Sequence, residues 1–499
     1  MIKNKILVGS DGGTYSFNAS TGVITISGLG TNFELEDLLL VVNITSNKVY
    51  YNPLVSGEGA TLSISGSDVI IDLDKDTSSD SNSDGLQIWI RASIPIDVSI
   101  SDKVMTGNSL LPVVDLFSNS NSSFSSDDGS YINEYINASG GSYTWNSSDS
   151  SISLTVTTAS GSRSVLEQHG YNTYTPGTNV RILATGAMNT HVSGNVKRIG
   201  IFDDNDGLFF ERDASGIMNV VLRTSTSGSP VETRIPQSSW SIDRADGTGN
   251  SKFNANFNFA QMYIIEYQFE VGTIKFGVIH KSRIIWLHWI ESGNVIAGPY
   301  MRRGTLPVRY ENINTTGVPS GSTLKVMSYS VMSEKVSFET LFNNSVSNAV
   351  TGKSINSGVR NQLLSIRLKS TYNSTDNRGI VIPQEFTITT TSNASFYYEL
   401  VLQRAHLSQL NLGGTPTWNS VGADSLCEFT VNGTTVTGGR VITSGYANAQ
   451  TRLEYKVLNS IRDYLSTNSS STNSDWLHIV VNPLSNATLY ASMSWKERK

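Results

Sequence analysis

Cysteine is nearly absent: Cys427 is the one thiol in 499 residues. No intramolecular disulfide can form, and no cysteine-based metal site can be assembled. The alternation Leu426-Cys427-Glu428-Phe429 reads as a strand with Cys427 as a small core residue. Charge is also sparse, with 16% Asp, Glu, Lys and Arg and a formal net charge of −6. Arg302-Arg303 and the Lys-Glu-Arg-Lys run at 496–499 are the densest basic stretches and read as solvated surface. A nucleic-acid partner would need a positive stripe to neutralise phosphates, so none is expected. No apolar run reaches the roughly 18–20 residues that span a bilayer, which argues against membrane insertion. No export segment is seen, because Lys5–Val8 already has strand character. The expectation is a protein synthesised and assembled in the cytoplasm of the cell that makes it.

What fills the chain is turn chemistry. Hydrophobic residues make up 38%, and Ser, Asn, Thr and Gly divide them into short alternating stretches. Small polar residues satisfy turn backbones locally while β-branched ones suit strands, so the pattern is that of antiparallel sheets. We expect an all-β protein: several β-sandwich or jelly-roll-like domains joined by Ser/Asn-rich linkers. Residues 1–92 read as a small sandwich of eight strands, and 93–160 as linker and irregular β structure, with FSNSNSSFSSDDG at 117–129 the most linker-like. Residues 161–330 read as a large jelly-roll or lectin-like sandwich in which Thr273–His280 and Arg283–Ile290 form a hairpin. Residues 331–375 read as a connector with some helical spacing (Phe338, Leu341, Val346, Val350). Residues 376–499 read as a C-terminal β domain with one helix over Glu454–Leu465, from the spacing of Val457, Ile461 and Leu465.

Chemistry-bearing motifs are few. Asp203-Asp204-Asn205-Asp206-Gly207 packs oxygen ligands on a turn and is a calcium candidate through Asp203, Asp204 and Asp206. The same residues suit a plain strand-to-strand turn. No other cofactor is expected. The acidic run from Asp72 to Asp84 has Thr77 where an EF-hand needs glycine and Ser83 where it needs glutamate, so it reads as a polar loop. His280 and His288 flank the predicted hairpin and could approach each other. Glu266, Glu270 and Glu291 could supply a glycosidase-like carboxylate pair. The chain has no HExxH, GxSxG, Walker A or dinucleotide motif, and a protein without enzymatic activity is expected. Trp286, Trp289 and Tyr300 are the candidates for carbohydrate or receptor contact, against the alternative of core packing. In a regular strand Trp286 and Trp289 would face opposite sides.

Three long blocks carry a family resemblance. KILVGSDGGTYSFNASTGVITISGL with LEDLLLVVNITSNKVYYNP resembles the N-terminal module of virion proteins of tailed bacteriophages, particularly phages of aquatic bacteria such as cyanophages. RIGIFDDNDGLFFERD, VVLRTSTSGSPVETRIPQSSWSIDRADGTG and LPVRYEN are similar to a second block, and FYYELVL with VTGGRVITSGYAN to a C-terminal one. The resemblance implies a structural component of a phage particle: fibre, decoration, neck or tail. It also implies a homo-oligomer, by analogy a trimer, bound to other virion proteins. An adhesin of the virion that reads host-surface glycans is the alternative.

Overall fold

The fold is given by a computed structural model that describes residues 4–8, 15–27, 35, 38–66, 68–91, 116–172, 174–334, 341–407, 411–449, 452–456 and 463–499. Its regular structure is strand, every named pair is antiparallel, and no α-helix occurs among the described residues. Among them no helix is long and apolar enough to cross a membrane. The chain divides into two compact units, 1–102 and 103–499.

The first unit is two four-stranded sheets. One runs Asn4–Val8, Leu86–Arg91, Leu38–Asn43, Lys48–Tyr51; the other runs Tyr15–Asn18, Val23–Ile26, Asp68–Leu73, Ala60–Ser65. Alternation explains the sandwich: Ile24, Ile26, Val69 and Ile71 from one sheet pack with Leu38, Val41, Leu86 and Ile88 from the other. Within the acidic run, Asp80 pairs with Lys48 at 3.0 Å and Asp84 accepts from Asn43 at 2.8 Å.

The second unit holds two further sandwiches. In the central one, a seven-stranded sheet runs Asn133–Ala138, Arg163–Gln168, Val308–Asn314, Asn195–Phe202, Gly207–Arg212, Met218–Thr224, Val231–Pro236. It faces an eight-stranded sheet containing Ser142–Asn146, Ser151–Val156, Ser322–Glu334, Val180–Ala187, Ala260–Tyr267, Ile274–His280 and Arg283–Ile290. The eighth strand, Leu116–Ser123, corrects the linker expectation: it pairs with the far half of Ser322–Glu334. At 13 residues, roughly 43 Å, that long strand exceeds Ser151–Val156 and leaves an edge to be filled. Ser122, buried and bonded to Asn133, and Phe124 in the core supply the inward residues that composition hides.

The C-terminal sandwich begins earlier than the sequence suggests. Phe342–Ser347, expected as connector with helical spacing, pairs with Ala487–Arg498, and Asn361–Leu368 is a central strand of the six-stranded sheet. Alternate residues of Ala487–Arg498 (Leu489, Ala491, Met493, Trp495) are buried in its core with Cys427. The expected helix is also corrected. Arg452–Lys456 is a strand paired with Ile380–Thr390, because Leu453 and Tyr455 pack on the core at a period of two; 457–462 lie outside the described residues.

Candidate functional site

The hairpin of Ile274–His280 and Arg283–Ile290 ends the eight-stranded sheet and carries both candidate tryptophans. Its register pairs Lys275 with Trp289 and Phe276 with His288, then Gly277 with Trp286, so Leu287 is an extra residue. Such a bulge reverses the side-chain alternation. Ile274, Phe276, Val278 and Leu287 enter the core, while Lys275, Gly277, Trp286 and Trp289 share the opposite, outward face. The Lys275 ammonium lies 5.7 Å from the Trp286 ring centroid and 5.3 Å from that of Trp289. Gly277 makes the arrangement possible, since a Cβ there would stand 3.0 Å from Trp286 Cε3 and 3.0 Å from Ile264 Cγ2. Trp286 is half-buried and Trp289 is 37% exposed.

Beside Trp286 lies a cleft of about 920 Å³ lined by His280, Arg283, Lys252, Phe253 and Asn250. That volume falls in the range of small-ligand sites. One wall is the 242–254 loop, which Asp243 fastens by accepting from the backbone N–H groups of Ala245 at 2.8 Å and Ser251 at 2.9 Å. Phe253 packs on His280 with ring centroids 4.5 Å apart. The site therefore offers indole planes, one fixed cation and several flexible donors, a set suited to apolar sugar faces and their hydroxyls.

The other sequence candidates lie elsewhere. Tyr300 is 5% exposed and belongs to the core, where its hydroxyl donates to Gln268 O at 2.9 Å. Trp240 and Tyr310 are core residues too. His280 and His288 are held apart, His280 on Phe253 and His288 accepting from Ser241 N at 3.0 Å. Glu266 is buried against Arg181 and Lys275, which removes it from any open carboxylate pair. Asp203 caps its own turn by accepting from Asn205 N and Asp206 N, and its other oxygen meets Arg378. Asp204 faces Arg163 and Arg309, and Asp206 accepts from Ser225 and Arg302. The turn needs no ion to hold it. Lys275 and the 242–254 loop were missed from sequence, although a glycine inside a predicted strand marks a close approach.

The second unit thus defines a class: antiparallel jelly-roll-like sandwiches with an outward aromatic face. No protein-family model matches the chain, and no curated protein matches it. Among solved structures it is similar to an endo-1,3-beta-glucanase from Streptomyces sioyaensis, at 12% identity and TM-score 0.30 over 44% of this chain and 97% of that one. It is similar to a glycoside hydrolase family 16 endo-glucanase from Bacteroides ovatus, at 10% identity and TM-score 0.29 over 42% of this chain and 99% of that one. A legume lectin-like domain from Entamoeba histolytica matches at 10% identity and TM-score 0.24, over 40% of this chain and 89% of that one. The expectation of a protein without enzymatic activity is corrected here and withdrawn, because glycan-cleaving enzymes stand among these similar structures. At these TM-scores no substrate or activity passes from them to this chain.

Proposed function

We propose that this protein is a glycan-binding adhesin that holds its ligand on the outward face of the eight-stranded sheet. The observation that carries the reading is the Leu287 bulge, which turns Trp286 and Trp289 to one side over Lys275. Sugar rings stack on the indoles, and Lys252, Arg283 and Asn250 donate to hydroxyls from the cleft rim. The sequence blocks that resemble tailed-phage virion proteins support a place on a phage particle, where such a face meets the host envelope. A homo-oligomer, by analogy with phage fibres a trimer, multiplies a weak single-site affinity.

The test is a glycan array, followed by titration of the full chain with the best glycan and with host-envelope polysaccharide. Each stacked ring contributes about 0.5–1.5 kcal/mol, so Trp286→Ala and Trp289→Ala each weaken binding up to roughly tenfold. A blank array, or unchanged affinity in the double variant, would falsify the reading. Labelled antibody on purified particles tests the virion assignment separately.

A further inference from the structure

Where the central and C-terminal sandwiches meet, Glu134, His169 and His406 each bring one ligand atom within 4.8 Å of the others. Glu134 lies on Asn133–Ala138, and His169 directly follows Arg163–Gln168, its N–H bonded to Ile132 O at 2.9 Å. His406 follows Phe396–Gln403 in the other sandwich, and its ring centroid is 4.6 Å from that of His169. His169 is 2% exposed.

The hydrogen bonds around the two imidazoles leave matching vacancies. His169 Nε2 faces Asp475 Oδ2 at 2.8 Å, and His406 Nε2 donates to Ser130 O at 2.7 Å. Both Nδ1 atoms are buried without a partner. An unpaired buried nitrogen is destabilising, and two of them on the histidines of one cluster call for a shared partner. Glu134 Oε2 accepts from Ser469 N at 2.9 Å, which orients the carboxylate and leaves Oε1 for a cation. A ring whose far nitrogen is held by a carboxylate or a carbonyl is the arrangement that fixes a metal-binding histidine. Asp475 also carries Arg404 at 2.7 Å, so its charge is already matched and Glu134 supplies the anion at the site.

We propose that Glu134, His169 and His406 bind a zinc-class divalent cation that ties the central sandwich to the C-terminal one. Two imidazoles and a carboxylate suit Zn²⁺ better than the hard, all-oxygen cations. A tetrahedral ion with bonds of about 2.0–2.1 Å needs ligands about 3.4 Å apart, so binding draws the three atoms, now within 4.8 Å, closer together. A water or an exogenous ligand completes the fourth position.

The test uses the full chain, freed of metal by chelation and titrated with Co²⁺ and Zn²⁺. Expected are one ion per chain, visible Co²⁺ absorption of histidine-ligated character, and a Tm that rises with Zn²⁺. His169 is 2% exposed and also bonded to Asp475, so its removal would disturb packing as well as the site; the variants are Glu134→Gln, which keeps the Ser469 bond, and His406→Gln. Each should weaken binding at least tenfold with unchanged circular dichroism. Absence of Co²⁺ uptake by the wild-type chain, the result expected if a trapped water fills the gap, overturns the assignment. So does equal uptake by the Glu134→Gln/His406→Gln double variant.

Discussion

On the seven-stranded sheet of the central sandwich, the face turned from the core is closed by charge. Arg163, Arg198, Arg223, Arg234 and Arg309 interleave with Glu167, Glu211, Glu232, Glu311 and Asp204, five guanidinium groups for five carboxylates. They lie over a small apolar patch of Phe202, Phe209 and Val221, with Arg223 5.0 Å from the Phe209 centroid. On the eight-stranded sheet, the corresponding face carries Arg181, Glu266 and Lys275 in a row and then opens onto two indoles. A charge lattice whose donors and acceptors are mutually satisfied has little left for a ligand. An aromatic plane stabilised by one ammonium keeps its outer side available. The same sandwich thus carries one face built for cohesion and one suited to recognition.

The largest expected effect tests the closed face. Arg309 is 2% exposed and serves Glu167, Glu311 and Asp204 together. Arg309→Met removes the buried guanidinium that faces Glu167 and leaves Glu311 and Asp204 to Arg163 and Arg198, and should lower stability by about 3–5 kcal/mol in urea unfolding. A loss below about 1 kcal/mol would mean that the lattice is ornamental and the contrast between the faces false.

Acid should dismantle the same face. Burial alone would raise the Glu311 carboxyl, but Arg309, Arg198 and Arg163 outweigh it and hold it at about 2 against an ordinary 4.5. A depressed carboxylate stabilises fully above 4.5 and loses that contribution as pH falls towards 2, roughly 3 kcal/mol in all. Glu167 runs the other way: burial outweighs Arg309 and pushes it up to about 8. Its contribution is therefore full below 4.5 and declines as pH rises towards 8. Urea midpoints taken at successive pH values should show the acid limb, and Glu311→Gln should flatten it. An unchanged limb in that variant would remove Glu311 from the lattice's acid response.

These two faces were unequally legible in the sequence. In the first unit, alternation and glycine turns mark Tyr15–Asn18 and Leu86–Arg91 at their observed bounds, because each strand carries its own period and punctuation. Leu116–Ser123 carries neither, and only the unfilled edge of Ser322–Glu334 makes it a strand. Trp286 and Trp289 were legible as residues but not as a pair, since the bulge that aligns them is a property of the pairing with Ile274–His280. Local spacing cannot show it. His169 and His406 come from different sandwiches, and nothing local to either announces the other.

The smallest effect separates the faces most finely. Lys275 lies 3.7 Å from Glu266 Oε1, beyond hydrogen-bonding reach, and Arg181 Nε already matches that carboxylate's charge through Oε2 at 2.9 Å, so removing the ammonium leaves Glu266 paired and takes the cation from over the two indoles. A cation over a ring contributes about 0.5–2 kcal/mol according to how dry it is. Lys275→Met keeps the stem and removes the charge, so it should lower the free energy of urea unfolding by no more than about 1 kcal/mol while weakening glycan binding several-fold through looser indoles. A loss of stability as large as that of Arg309→Met would show that this face, too, is held by charge. In that case the open indoles would be a by-product of packing, and the recognition surface would have to be sought elsewhere.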